Sequence, residues 1–95
     1  RVTIGQLEGV ALHTPGHTPG SMCFHFPTAQ LLVAGDTLFR GSIGRTDLWG
    51  GDFEAIEQSI RERLYTLDAR TAVVTGHGAE TEIGLERECN SFVRA

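Results

Sequence analysis

Two short, largely apolar runs constrain the fold of this chain more than any other feature of its sequence. QLLVAG at 30–35 and TAVVTG at 71–76 each have the length of a strand and end in glycine. Runs of this kind are typical of strands that are buried within a sheet. Each run is followed at once by a polar residue, Asp36 in the first case and His77 in the second. The sequence therefore predicts a sheet with buried strands that end in polar side chains.

The segment between these runs has the period of an amphipathic helix. Asp52 is a good N-cap, and a helix is predicted from Asp52 to about Leu67. Its apolar stripe, at steps of three and four residues, consists of Phe53, Ile56, Ile60, Leu64 and Leu67. This stripe is expected to pack on the sheet.

A second, shorter helix is predicted near the C-terminus. Thr81 is its expected N-cap, and Leu85, Cys89 and Phe92 are expected to face inward.

The stretch HTPGHTPGS at 13–21 joins two further predicted strands, EGVALH at 8–13 and SMCFHF at 21–26, which are expected to be neighbours. Its two histidines have the spacing of a helical zinc site. Pro15 and Pro19 exclude a helix, because each removes a backbone donor and drives the preceding residue toward extended geometry. The segment is predicted to be a turn-rich loop, so at most one ring can be assumed to face a site.

Three predicted loops, each following a strand, carry one potential metal ligand apiece: His17, Asp36 and His77. Imidazole nitrogen and carboxylate oxygen are ordinary ligands of a zinc-like ion. Each residue also has a structural interpretation, since a loop histidine is often a hydrogen-bonded turn residue and Gly-Asp-Thr is good turn chemistry. The glycine-rich segment from Leu38 to Gly51 shows no period and is predicted to be a loop.

Composition argues against several classes of partner. The 95 residues carry a net charge of −4 without a basic cluster, which argues against nucleic acid or an anionic membrane surface as a partner. No apolar run reaches the length of a membrane span. Cys23 and Cys89 lack a CxxC spacing and are predicted to be reduced thiols of a cytoplasmic protein, with a disulfide between them as the alternative.

Three motifs, in order, resemble the second half of a metallo-β-lactamase-fold hydrolase. They are TPGHTPGS, LLVAGDTLFRGSIGRTD and VVTGHGAETEIGLERECN, and they are most similar to the glyoxalase II group, in particular its small single-domain members. The resemblance implies that His17 binds one metal ion, that Asp36 bridges two ions and is the catalytic residue, and that His77 binds the second ion. His13 would then support the loop or simply end the strand.

Arg45 lies in the loop that follows the bridging aspartate in this resemblance. It is a candidate to bind a carboxylate of the substrate. A surface salt bridge to Asp47 or Asp52 is the alternative.

The resemblance implies an α/β fold that is the second half of a four-layer αββα sandwich, with a mixed β-sheet and helices on one face. The family's other ligands come from an HxHxDH motif, which this sequence lacks. Residues 1–95 are therefore expected to be a single partial domain without its upstream half. Its strands contain Phe24, Leu32, Val33, Val73 and Val74, and its open sheet face is expected to pair with the missing N-terminal half or with a second copy of the chain.

The implied activity is hydrolysis of a small-molecule thioester such as S-lactoylglutathione. Two divalent ions, with zinc expected and iron or manganese as alternatives, would activate a hydroxide. The isolated half is expected to be inactive. Two other functions stay open: an iron-dependent sulfur dioxygenase of the same superfamily, and a non-catalytic half-domain or assembly fragment. The Thr-Gly-His-Gly context of His77 favours the hydrolase.

Overall fold

The computed structural model describes residues 2–4, 7–47, 50–76 and 78–94. The strands and α-helices in these ranges are β1 (Val2–Ile4), β2 (Leu7–His13), β3 (Met22–Phe26), β4 (Leu31–Gly35), β5 (Leu38–Phe39), β6 (Ser42–Ile43), α1 (Phe53–Ser59), β7 (Ala72–Thr75), β8 (Thr81–Glu82) and α2 (Ile83–Cys89). A 3₁₀ helix spans Pro27–Ala29 and a π-helical segment spans Ile60–Leu64. One sheet has the order β1-β2-β3-β4-β7-β8, and β5 pairs with β6 in a separate hairpin. Strands β4 and β7 are parallel, whereas the other neighbours are antiparallel. The predicted α/β class with a mixed sheet is confirmed.

The four predicted strands correspond to β2, β3, β4 and β7, each within one residue of its expected bounds. The expected neighbours β2 and β3 are an antiparallel pair. The segment from Leu38 to Gly51 was predicted to be a loop throughout, and this is wrong, because it contains the β5–β6 hairpin. Strands of two residues are too short to produce a hydrophobic period, which explains the difference.

Both helices pack on the same face of the sheet, as expected. Side chains alternate along a strand, so Leu32 and Ala34 of β4 and Val73 of β7 point to this face. The buried apolar cluster that they form with the helices consists of Cys23, Leu32, Ala34, Leu38, Ile56, Ile60, Leu64, Tyr65, Val73, Ile83 and Val93. The core of the described chain therefore lies between the sheet and its two helices.

The opposite face of the sheet carries an apolar row that is only half-buried. Ala11, Phe24, Val33 and Val74 are in register across β2, β3, β4 and β7. Leu32 and Val73 were named with these residues in the sequence, but they are fully buried under the helices. Strand β4 is thus covered on one face by the described residues, with Val33 left half-buried on the other.

The predicted start and stripe of the first helix are largely confirmed. The Asp52 carboxylate caps α1 by accepting a hydrogen bond from the Ala55 amide at 3.1 Å. The helix continues as a π-helical turn over Ile60–Leu64, in which the Tyr65 amide donates to the Ile60 carbonyl at 2.8 Å. Phe53 was wrongly expected to face inward. It is 44% exposed, because it faces a groove beside residues 42–47.

The prediction for the second helix is wrong in its buried face. Helix α2 has Glu82 as its N-cap, without a side-chain capping bond, in place of Thr81. Leu85 is 43% and Phe92 is 56% exposed, and Cys89 is exposed as well. The side chains that point inward are Ile83, Glu86, Asn90 and Val93. Two of these are polar and bind each other, so a search for hydrophobic periodicity could not find this face.

Cys23 is buried and Cys89 is exposed, and both are free cysteines, so the predicted absence of a disulfide between them is confirmed. None of the helices in the described ranges is long and apolar enough to cross a membrane.

Candidate metal centre

The loop between β2 and β3 is a series of turns fixed to helix α1. Inside the loop, the Thr14 amide donates to the Ser21 carbonyl at 2.8 Å. Toward the helix, the Asp52 amide donates to the Gly16 carbonyl at 2.7 Å and the Ser59 hydroxyl donates to the Pro15 carbonyl at 2.8 Å. The backbone of Gly16 has a φ of +144° and lies so close to Ile56 that a Cβ atom would overlap it. The predicted turn-rich loop is confirmed, and the helix determines its position.

His17 projects from this loop in a defined orientation. Its Nδ1 atom lies 2.8 Å from the backbone carbonyl oxygen of Arg45. Because a carbonyl oxygen can only accept, the proton of a neutral ring is on Nδ1, and Nε2 carries the lone pair. Nε2 lies 3.8 Å from Oδ2 of Asp36. A histidine whose other ring nitrogen donates to a carbonyl is the usual arrangement of a metal-binding imidazole.

Asp36 follows β4 at the edge of the sheet where the parallel strand β7 also ends. The Gly76 amide donates to the Gly35 carbonyl at 2.7 Å, which holds these two strand ends together. A Cβ atom on Gly76 would lie 2.5 Å from Oδ1 of Asp36, so glycine leaves the space that the carboxylate occupies. His77 directly follows Gly76 in the sequence but lies outside the described residues.

A buried polar cluster connects the first two motifs beneath these side chains. The Thr14 hydroxyl lies 3.3 Å from the Thr37 hydroxyl and 3.3 Å from the Cys23 sulfur. Burial raises the pKa of the Cys23 thiol, which favours its protonated form. Sequence reasoning missed the two threonines. The signal that could have found them is their position, since Thr37 directly follows Asp36 and Thr14 begins the histidine loop.

Gly44, which directly follows the β5–β6 hairpin, packs against both candidate ligands. Its amide donates to the Thr37 carbonyl at 3.1 Å, and a Cβ atom here would overlap the backbone oxygen of Asp36 and lie 3.2 Å from Cβ of His17. Sequence reasoning did not single out Gly44 either. Only glycine allows the hairpin to approach both candidate ligands this closely.

The guanidinium group of Arg45 forms two hydrogen bonds with the Asp47 carboxylate, at 3.0 and 3.1 Å. The hydrogen bond from Arg45 holds the pKa of Asp47 below its ordinary value. Asp52 is engaged as the cap of α1, so the salt bridge considered from sequence is formed with Asp47. Beside this pair, residues 42–47 line a groove of about 310 Å³ together with Phe53 and Phe92.

His13 occupies the end of β2, and its Nε2 atom lies 2.8 Å from the carbonyl oxygen of Pro19. The ring therefore ties the two ends of the histidine loop together. This contact agrees with the interpretation of His13 as a loop-supporting residue.

The donor set of His17 and Asp36 fits a divalent metal ion. Zinc lies about 2.0–2.2 Å from nitrogen and oxygen ligands, so one ion could contact two donor atoms that are 3.8 Å apart. In the part of the chain that the structure describes, no three potential ligands form a cluster. The described residues thus supply a pair of donors.

We expect Gly76→Ala to displace the Asp36 carboxylate and to destabilise the fold. The added methyl group would overpack the Asp36 carboxylate and the backbone of Gly35, at a cost of about 1–3 kcal/mol in unfolding free energy. Gly20→Ala is the control, because nothing lies within 4 Å of a Cβ atom at that position. Thermal unfolding of both variants measures the difference, and an unchanged midpoint for Gly76→Ala would contradict the close contact.

Comparison with known proteins identifies the family. A family model described as the metallo-beta-lactamase superfamily matches residues 1–77. The chain is 46% identical over 92 residues to the probable metallo-hydrolase YqgX of Bacillus subtilis (strain 168), covering 97% of this chain and 44% of that protein. It is 43% identical over 84 residues to the hydroxyacylglutathione hydrolase GloC of Haemophilus influenzae, covering 88% of this chain and 40% of that protein.

Solved structures give the same result. The BLEG-1 B3 metallo-beta-lactamase superposes with a TM-score of 0.92 at 44% identity, covering 99% of this chain and 45% of that one. TTHA1623 in a di-iron-bound form superposes with a TM-score of 0.85 at 40% identity, covering 98% of this chain and 50% of that one. The chain spans less than half the length of the two curated relatives. With a family match over residues 1–77 and this agreement in fold, the chain belongs to the metallo-beta-lactamase superfamily.

Proposed function

We propose that this chain is part of a metal-dependent thioester hydrolase of the glyoxalase II type. The observation that carries the proposal is the approach of His17 Nε2 to Asp36 Oδ2 at 3.8 Å, with the His17 ring oriented by a backbone carbonyl. The similarity to a relative named hydroxyacylglutathione hydrolase supports the substrate class. We use "the complete protein" for this chain together with any sequence that precedes it in its gene.

In this proposal His17, Asp36 and His77 bind two divalent ions, with zinc as the proposed metal and iron as the alternative that the di-iron form of a relative supports. Such ions supply an activated water near neutral pH and an electrophile for the carbonyl oxygen of the substrate. The carboxylate of Asp36 offers two oxygens and compensates part of the positive charge. The Arg45 carbonyl, which lies 2.8 Å from Nδ1 of His17, orients the ring so that Nε2 is the atom that would bind an ion.

We propose that the substrate lies in the groove formed by residues 42–47, Phe53 and Phe92. Arg45 joins this groove to the metal centre, since its carbonyl holds His17 and its side chain borders the groove. Its guanidinium can bind a carboxylate of the substrate if that carboxylate displaces Asp47. The exposed rings of Phe53 and Phe92 would contact the apolar part of the same molecule.

The half-buried row of Ala11, Phe24, Val33 and Val74 is the surface that we propose pairs with an N-terminal half. A sheet face of this kind gains hydrophobic free energy when a second sheet covers it. Pairing with a second copy of the chain is the alternative. We also infer a cytoplasmic location from the two free thiols.

The test compares residues 1–95 with the complete protein. Three ligands divided between two ions should bind zinc weakly, so after dialysis the 95-residue chain should hold well under one zinc per chain and show no turnover of S-lactoylglutathione above background. The complete protein should bind metal and hydrolyse this thioester. Elemental analysis measures the metal content, and a thiol-release assay measures the hydrolysis. Thioester turnover absent from a metal-loaded complete protein would overturn the proposed activity.

A further inference from the structure

Glu86 is a carboxylate buried in the core of the described chain. It is 1% exposed and lies on the inward face of α2. Its Oε1 atom accepts hydrogen bonds from the Gly41 amide at 2.9 Å and from Nδ2 of Asn90 at 2.8 Å, and its Oε2 atom accepts one from the Thr81 hydroxyl at 2.6 Å. Burying a carboxylate is costly unless its oxygens are satisfied. The three donors satisfy Glu86, and one of them belongs to the turn between β5 and β6.

Asn90 holds the same turn by a second bond. Its Nδ2 group donates to the Ser42 carbonyl at 3.0 Å, while its Oδ1 atom accepts from the amides of Phe92 and Val93 at 2.9 and 3.0 Å. The Ser91 amide donates a third hydrogen bond to this turn, to the Gly41 carbonyl at 3.3 Å. The end of α2 therefore holds the Gly41–Ser42 turn at three backbone atoms.

This turn leads directly to the atom that orients His17. Strand β6 ends at Ile43, and the next two residues are Gly44, packed against His17 and the Asp36 backbone, and Arg45, whose carbonyl accepts the Nδ1 proton of His17. A shift of the turn would move this carbonyl. A shift of about 1 Å in a supporting residue is enough to weaken a site that depends on exact ligand geometry.

We propose that Glu86 and Asn90 are positioning residues for the metal centre: they fix the β5–β6 turn so that the Arg45 carbonyl keeps His17 in its Nδ1-protonated form, with Nε2 toward Asp36. This inference rests on the proposed role of His17 as a ligand. The side-chain hydrogen bonds of Glu86 and Asn90 described above do not involve His17 or Asp36. They act through the turn.

The test uses Glu86→Ala in the complete protein. Loss of an indirect support for a metal ligand typically lowers metal affinity by about 10–100-fold, and we expect a loss in this range for zinc, measured by competition with a chelator. In the metal-free protein, long-range ¹H–¹⁵N NMR spectra should show that His17 is no longer held in a single tautomer. Glu86→Gln keeps an acceptor oxygen for the Gly41 amide and should restore most of the affinity.

Tyr65→Phe is the matched control. The Tyr65 hydroxyl donates to the backbone carbonyls of Glu86 and Val93, so its removal disturbs the same buried region but leaves the bonds to Gly41 and Ser42 in place. It should lower thermal stability while zinc affinity changes less than about twofold. If Glu86→Ala does not fold, Glu86→Asp, in which the carboxylate is withdrawn from the Gly41 amide, is measured instead.

Equal losses of zinc affinity in the Glu86 variant and in Tyr65→Phe would overturn the positioning role, as would an unchanged His17 tautomer. His17→Ala separates this failure from failure of the proposed function. If His17→Ala abolishes zinc binding and Glu86→Ala does not affect it, only the positioning role is wrong. If His17→Ala leaves zinc binding intact, the proposed metal centre itself is wrong.

Discussion

If the complete protein is the proposed thioester hydrolase, Asp36→Asn should remove most of its turnover. The change keeps the shape of the side chain but replaces a carboxylate with a neutral amide, which would be a poorer ligand for the divalent ions of the proposed centre. The loss should exceed about 100-fold, the upper end of what an indirect support for a ligand contributes. Because the Asp36 side chain is partly exposed beside Gly76, the substitution should leave the fold intact, and circular dichroism can check this.

His13→Ala and His17→Ala are the paired comparison for this experiment. His13 ends β2 and His17 lies in the loop that follows it, but Nε2 of His13 contacts the Pro19 carbonyl, whereas Nε2 of His17 faces Asp36. His17→Ala should abolish metal binding and turnover, and His13→Ala should reduce turnover mildly through a looser loop. If His13→Ala abolished metal binding and activity while His17→Ala preserved both, the assignment of the ligand would be reversed.

Ile60→Ala should lower the unfolding free energy by about 2–5 kcal/mol, the usual cost of removing a large buried aliphatic side chain. Ile60 is fully buried between the sheet and the helix, at the point where α1 becomes a π-helical turn. Each kcal/mol corresponds to about 4–8 °C in the melting temperature of a domain of this size. Thermal unfolding followed by circular dichroism is the measurement, and the variant should melt well below the parent protein.

Glu57→Ala is the control on the outer side of the same helix. Its carboxylate lies 3.0 Å from the Arg61 guanidinium, in an i,i+4 pair with partly exposed partners. Exposed pairs of this kind contribute about 0–1 kcal/mol, so the melting temperature should change little. Equal effects of the two substitutions would mean that the helix packs on the sheet by a different face.

Hydrophobic patterns predicted the elements whose packing is apolar. The runs at 30–35 and 71–76 became β4 and β7, and the stripe of the first helix correctly identified Ile56, Ile60 and Leu64 as core residues. The same reasoning failed for α2, because its inward face contains Glu86 and Asn90. Buried polar side chains are satisfied by partners far away in the sequence, such as Gly41 and Ser42, and no local pattern reveals such partners.

The candidate site was predictable in its residue types and only partly in its geometry. Placing potential ligands at strand ends correctly brought His17 and Asp36 together. The role of His77 stays a prediction, since that residue lies outside the described part of the chain. The close approach of Gly44 and Gly76 to Asp36 could not be foreseen, because it depends on how the hairpin and β7 pack in three dimensions.

The parallel pairing of β4 with β7 has a consequence for the order of folding. The strand that leads to Asp36 and the strand that leads to His77 are hydrogen-bonded neighbours, but the connection between them contains the β5–β6 hairpin and all of α1. Closing so long a connection costs conformational entropy, and contacts between distant parts of a chain therefore form late in folding. We therefore expect the sheet edge that carries the candidate ligands to assemble only after α1 has docked on the sheet. If these residues bind metal as proposed, added metal should slow unfolding much more than it accelerates folding.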